Sequence, residues 1–489
     1  MVAIVRPRQK HVVAALFVAG MFVSILDSTA VTTALPTIGR EFHATPSAVD
    51  WTVIGYLLSL AACMPASGWL GDRIGTKTTF LAAMGLFTAA SALCATAPDL
   101  PALVGFRVLQ GVGGGLLTPV GQAMLYRAYP PERRARAAAV LLVPTVMAPA
   151  LGPVLGGFLV DQLSWRWVFL VNLPIGAAAL AFGLACLAER REAHPGRFDV
   201  AGFILAACAL ALILYAASEG PVLGWGRVPV WAAGALGIAA AVAFVCVELA
   251  ARAPMLSVRL LDDRLFRACN LTSLLGGAAF MGVLFLMPQF LQYARGASAF
   301  SSGLTTFPEA IGVMLSSRLV ARLYPRVGPR RLMAGGLTAV TLLILALTRI
   351  GPATDPWWVR LGMFGVGAGM AYMILPLQAA AFAGISAADT GRASALFATQ
   401  RQVAGALGAA LAGTMVAAFL PAGAILTGGA LRASAAAGAF HLAFAACAVL
   451  AAAGAAVALG VPDALAAATM VRGPRRARAV EPAPVVADG

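Results

Sequence analysis

The sequence predicts an all-α polytopic membrane protein of fourteen spans, built as two six-helix bundles with a helix pair inserted between them. Three observations carry this. Of 489 residues, 60% are hydrophobic and only 11% charged, where soluble domains carry about 25% charged residues. The apolar residues recur in blocks of the length, roughly 20 residues, that crosses about 30 Å of hydrocarbon. The first and last parts of the chain also repeat one another at an offset of 252 to 256 residues.

The blocks fall near 12–35, 51–71, 78–97, 101–126, 137–160, 166–188, 200–217, 229–250, 268–292, 302–321, 332–350, 357–384, 394–420 and 436–460, here called spans 1 to 14. Span 1 is too long for the apolar core of a cleavable signal peptide, lacks a small-residue cleavage site and is followed by further spans. An even count puts both termini on one side. Of the 35 Lys and Arg residues, 25 lie at the termini and in alternate loops, six in the opposite loops and four within spans. The positive-inside bias places both termini in the cytoplasm of a multi-pass cell-membrane protein. Seven of the eight tryptophans, all but Trp69, fall at the outer ends, as an interfacial aromatic belt does. The net charge of +15 is thereby explained by topology rather than by nucleic-acid binding. The seven cysteines lie within spans without a CxxC pair and read as small apolar residues. The four histidines are scattered, with no metal-ligand spacing.

The repeat sets the domains. "RAAAVLLVPTVMAPALGPVLGG" from Arg136 aligns without gaps on "RASALFATQRQVAGALGAALAG" from Arg392, pairing Gly152 with Gly408 and Gly157 with Gly413. "GVGGG" at Gly111 echoes "GVGAG" at Gly365, "RIGTK" at Arg73 echoes "RVGPR" at Arg326, and Pro36 matches Pro288. Paired helices are eight spans apart and run in the same direction. The chain therefore divides into an N-terminal bundle (1–192), an inserted pair (193–263), a C-terminal bundle (264–462) and a disordered tail (463–489). Parallel repeats of this kind are a transporter architecture, with the substrate site near midplane at their interface.

The loop "GWLGDRIGTK" closes span 2 and crosses to span 3. With its Gly68, Gly71, Asp72, Arg73, Gly75 and Lys77 it resembles the loop signature of the major facilitator superfamily. Other segments agree in order: "FRVLQGVGGGLLTPVGQ" in span 4, with Arg107, Gln110 and Gly111; "APALGPVLGG" in span 5, similar to the antiporter motif through Gly152, Pro153, Gly156 and Gly157; and "LDSTAVTTALP", "WRWVFLVNLPIG" and "ATQRQVAGALGAA" in spans 1, 6 and 13. These resemble the fourteen-helix drug:proton antiporter branch. Ala148, Thr32 and Thr76 depart from its commonest residues. The resemblance implies a cytoplasmic gate in which Asp72 meets the N-terminus of span 13, where a helix dipole favours negative charge, and a span 5 that packs closely on a neighbour.

Asp27 lies about 12 Å below the outer boundary, Arg107 about 9 Å and Glu309 about 10 Å, from the helical rise. Ionisable groups at such depth are costly and functional by default. The expectation is that Asp27 and Glu309 exchange protons against a cationic cargo while Arg107 tunes them. The plain alternative is that Asp27 and Arg107 form a helix-pairing ion pair. Arg401, seven residues into span 13, and its neighbour Gln402 are candidates for the inter-bundle interface or for an anionic group on the cargo; Gln110 is a cavity candidate. Arg360, beside Trp357 and Trp358, is expected to snorkel to the outer interface.

The function these residues imply is proton-coupled efflux of amphiphilic, cationic or neutral small molecules by alternating access, by a monomer needing no cofactor beyond the proton gradient. Export of one natural product, or uptake by symport, are the alternatives. No nucleophile–base constellation, P-loop or metal motif points to an enzyme.

Overall fold

The computed structural model describes residues 7–44, 46–129, 151–152, 155–191, 198–251, 257–297, 299–351, 353–386, 389–419 and 430–470. These form helices and short connections, with no strand among them. Among the described residues, twelve helices are long and apolar enough to cross a membrane, and each falls on a predicted block. The other two blocks are spans 5 and 10. Most of span 5 lies outside the described residues, although 155–162 is helical. Span 10 is broken into Ala299–Thr306 and Pro308–Val327. Pro308 lacks an N–H and its ring crowds the preceding turn, so it opens the second piece rather than continuing the first.

The two bundles pack in the same pattern. In the first, span 4 (Leu100–Ala128) rests on span 1 (Pro7–Glu41), span 2 (Pro46–Cys63 with Ser67–Arg73) and span 3 (Thr76–Ala95), and span 6 (Asn172–Cys186) rests on spans 1 and 3. In the second, span 12 (Pro356–Ala381) rests on spans 9 (Arg264–Gln289), 10 and 11 (Pro329–Leu347), and span 14 (Ala430–Leu459) rests on spans 9 and 11. Every pair is shifted by eight spans. Without a strong hydrophobic drive between helices in lipid, close backbone approach supplies the packing. A Cβ on Gly113 would stand 2.8 Å from the Ala83 carbonyl oxygen, and one on Gly312 would overlap the Phe364 carbonyl.

Acidic caps repeat as well. Asp99 accepts the Ala102 N–H at 2.8 Å ahead of span 4, and Asp355 accepts the Trp357 N–H at 2.8 Å ahead of span 12. Each such cap stabilises its helix by about 1 kcal/mol. At the end carrying the basic loops, Gly75 and Gly328 hold φ of 104° and 84°, conformations that favour glycine. A carboxylate from beyond the last helix of each bundle reaches the helix that follows. Glu189 accepts the N–H groups of Lys77 and Thr78 at 3.0 and 3.1 Å, and Asp463 accepts the Arg330 N–H at 2.9 Å.

That second contact corrects the expected tail. Residues 463–470 are not free: Asp463–Ala466 and Ala467–Met470 are short helical turns. Ala466 is buried in the C-terminal core, and Thr469 shares a 2.7 Å hydrogen bond with the Tyr324 hydroxyl. The anchor lies 133 residues away in sequence, which composition does not reveal. The rest of the predicted tail, 471–489, lies outside the described residues.

The inserted pair, Val200–Leu223 and Val228–Ala250, is span 7 folded against span 8. Span 7 lies along the seam between the bundles, touching span 2 on one side and span 13 (Thr390–Phe419) on the other. Leu210 and Leu214 cluster with Ala61 of span 2 and Val403 of span 13. Trp51 stacks on Tyr215 at 6.2 Å between ring centroids, and Trp225 Nε1 donates to Thr414 Oγ1 at 2.7 Å.

Candidate functional site

Asp27 and Arg107 meet inside the N-terminal bundle, both wholly buried. Spans 1 and 4 cross where their predicted depths coincide. The Arg107 Nη1 donates to Asp27 Oδ2 and, at 2.6 Å, to Gln110 Oε1, while its Nε donates to the Thr52 carbonyl at 2.9 Å. The other carboxylate oxygen, Oδ1, accepts from Gln110 Nε2 at 2.9 Å and Asn172 Nδ2 at 2.8 Å. Ser91 Oγ accepts from Gln110 at 2.6 Å. The guanidinium lies over the Tyr56 ring, 4.1 Å from its centroid. Such a pair is held by geometry: both carboxylate oxygens are hydrogen-bonded, which offsets desolvation, although Arg107 Nη2 finds no partner among the described residues. Five spans (1, 2, 3, 4 and 6) contribute.

The arrangement is the ion pair weighed above as the plain alternative, and it seals Asp27 from the space between the bundles in this conformation. Thr52, Tyr56, Ser91 and Asn172 escaped the sequence reading because they carry no charge. The signal was present for Asn172, an amide in the span 6 motif "VNLPIG".

Glu309 stands apart. It follows Pro308 at the start of the second piece of span 10 and is 9% exposed. Span 12 comes so close that a Cβ on Gly367 would overlap the Glu309 carbonyl. Among the described residues no ion pair or hydrogen bond reaches its carboxylate. Asp27 and Glu309 are therefore not brought together: one is neutralised in the first bundle, the other is unpaired in the second.

Arg401 lies eleven residues into the helix Thr390–Phe419, deeper than the block boundary suggested. At 1.5 Å per residue that is about 16 Å from the basic end. It keeps exposed surface, although protein surrounds it and Tyr126 of span 4 lies within electrostatic reach. Gln402 is half-buried.

At the basic end the bundles touch. A Cβ on Gly68 would fall 3.1 Å from the Gly391 carbonyl carbon, so a larger residue would have to push span 2 off the start of span 13 by a few tenths of an ångström. Asp72 is buried there, accepts from Arg127 Nη2 at 2.9 Å, and lies against Gly391 in the first turn of span 13. Tyr126 donates to the Gln378 carbonyl at 3.1 Å and packs on Phe382 at 4.2 Å between ring centroids. In the rest of the loop, a Cβ on Gly71 would make an ordinary 3.6 Å contact with Thr76, Arg73 is exposed, and Lys77 Nζ donates to the Leu184 carbonyl at 3.0 Å. Within the span 5 motif, Cβ atoms on Gly152 and Gly156 would run into Thr29 and Thr33, so this face packs on span 1 beside Asp27. A Cβ on Gly157 would meet open space. Pro153 and Ala148 lie outside the described residues.

Comparison with known proteins agrees with this arrangement. The Major Facilitator Superfamily family model matches residues 17–409. The chain is 34% identical over 391 residues to a multidrug resistance protein B homolog of Mycobacterium tuberculosis, covering 79% of this chain and 72% of that protein. It is 31% identical over 405 residues to a putative multidrug resistance protein MdtD of Serratia proteamaculans, covering 82% and 84%. The crystal structure of the human organic anion transporter MFSD10 (TETRAN) superimposes with a TM-score of 0.62 at 18% identity, covering 91% of this chain and all of the other, a likeness of fold alone. By its repeat, its loop motif and these matches, the chain belongs to the Major Facilitator Superfamily.

Proposed function

We propose that this protein exports amphiphilic small molecules, cationic or neutral, in exchange for protons, by rocking two bundles about a cavity between them. The names of the relatives, multidrug resistance proteins, support the efflux reading. The basic loops support a cytoplasmic assignment for both termini and for the closed end, in the cell membrane. With Gly68 against Gly391 and Asp72 at the head of span 13, the conformation is one with its cytoplasmic side shut. The protein works as a transporter rather than an enzyme, needs no cofactor, and acts as a monomer on cargo and protons.

The observation that carries the coupling is the contrast between the two carboxylates. Asp27 has three donor groups around it, Arg107, Gln110 and Asn172, whereas no cation pairs with Glu309 among the described residues. Desolvation without a partner favours a carboxyl that takes up a proton, and a cationic cargo reverses that preference. Glu309 is thus the exchanging group. Asp27 joins only in a conformation that opens its pair with Arg107.

The test is purified protein in liposomes under an imposed pH gradient, with a panel of cationic dyes. Gradient-driven accumulation is expected for wild type and is lost in Glu309→Gln with binding retained. Accumulation undiminished in Glu309→Gln would overturn the assignment. No gradient-driven movement of any dye would overturn export itself.

A further inference from the structure

Among the described residues, the arginines within the spans and at the gate leave one cation unexplained. Arg107 is committed to Asp27, Arg127 to Asp72 at the gate, and Arg360 lies over the Trp357 ring, 4.9 Å from its centroid, among exposed tryptophans. Arg318 is exposed toward the basic end of span 10. Arg401 resembles none of these. It sits about 16 Å from the nearer helix end and seven residues inside the apolar block, about 10 Å by the helical rise.

Its neighbours place it on a cavity wall. One turn before it, Ala398 is buried in the apolar cluster of the N-terminal bundle. One turn after it, a Cβ on Gly405 would stand 3.6 Å from Met281 of span 9. Tyr126 of span 4 lies nearby. Arg401 thus occupies the gap between spans 4, 9 and 13, enclosed by protein yet with exposed surface. Facing hydrocarbon there would cost about 2.5–3.5 kcal/mol or more. Among the described residues no carboxylate pairs with it. An unpaired cation enclosed by protein is costly, and an anion entering the gap would relieve that cost.

We propose that Arg401 is the group in the cargo cavity that binds an anionic headgroup, so that the cargo range includes amphiphiles carrying a carboxylate. The guanidinium fork matches a carboxylate through two parallel N–H···O bonds. The apolar body extends toward the outer end along Met281 and Phe285 of span 9, both partly exposed one turn apart. This inference rests on the transport reading above and specifies what its cavity recognises. A cargo of this class brings its own compensating charge to Arg401, and a purely cationic one does not.

The test is binding in nanodiscs of a dansyl-labelled fatty carboxylic acid and its methyl ester at neutral pH, with empty discs subtracted. Wild type is expected to bind the acid about tenfold tighter than the ester. Arg401→Gln loses that preference with ester binding unchanged, and Arg401→Lys, a point charge without the fork, keeps part of it. Equal affinity of wild type for acid and ester, or a preference that survives in Arg401→Gln, overturns the proposal. If Arg401→Gln is not recovered folded, the wild-type and Arg401→Lys comparison decides. Gradient-driven efflux of the ester from liposomes is scored separately, so failure of export and failure of anion recognition are read in different assays.

Discussion

Replacing Asp27 by asparagine separates the structural from the exchanging role of the first carboxylate. The substitution is nearly isosteric, and the amide oxygen still accepts from Gln110 and Asn172. On the other side, the amide N–H₂ meets the Arg107 guanidinium, donor against donor, and Arg107 has no exposed surface through which to recover water. Removing one partner of a buried pair costs about 3–5 kcal/mol, because the other charge is left uncompensated. Adding Arg107→Gln removes that charge. What remains is the loss of two or three hydrogen bonds at about 0.5–1.5 kcal/mol each, so the double variant regains about 0.5–2 kcal/mol over Asp27→Asn alone. Equilibrium unfolding of the four proteins in mixed detergent micelles closes the double-mutant cycle. An Asp27→Asn variant as stable as wild type, or a double variant no better than the single one, would refute the view that the pair holds the N-terminal bundle together.

Two other predictions follow from contacts at the basic end. Gly68→Val should push span 2 off Gly391, and spin labels at Arg73→Cys and Arg392→Cys should gain a longer-distance population; an unchanged distribution would mean the contact does not hold the gate. Glu189, though its partial burial raises its pKa, is brought below its ordinary value by hydrogen bonds from Thr78 and from the N–H groups of Arg190, Lys77 and Thr78. A lowered folded pKa means the cap stabilises fully above the unfolded carboxyl value of about 4.3 and fades as pH falls through the folded value. Glu189→Gln should therefore lower the melting temperature at pH 7 and match wild type in strong acid, and an equal deficit at both pH values would argue against the cap.

Much of this was legible in the sequence because lipid imposes long apolar blocks and tolerates few charges. Asp27, Arg107 and Glu309 stood out for that reason, and the helical rise set the first two at meeting depths. The glycine loop at Gly68 and its repeat near Gly328 were equally visible, since close approach and positive φ favour that residue. Uncharged partners such as Asn172 and Ser91 were not, because a hydroxyl or amide in an apolar block is compatible with many placements. The Asp463 contact and the seat of span 7 depend on which distant helix lies alongside, and no local pattern encodes that. The break in span 10 was written in Pro308, but a single proline is also compatible with a mere kink.

The inserted pair is fastened to both halves, by the Tyr215 ring of span 7 on one side and by the indole of Trp225, in the loop between spans 7 and 8, on the other. Spans 2 and 13 therefore cannot part along that edge without dragging the inserted pair or tearing it loose. The consequence is mechanical asymmetry: on this flank the edge between spans 2 and 13 is covered by a helix that both halves must carry with them or release.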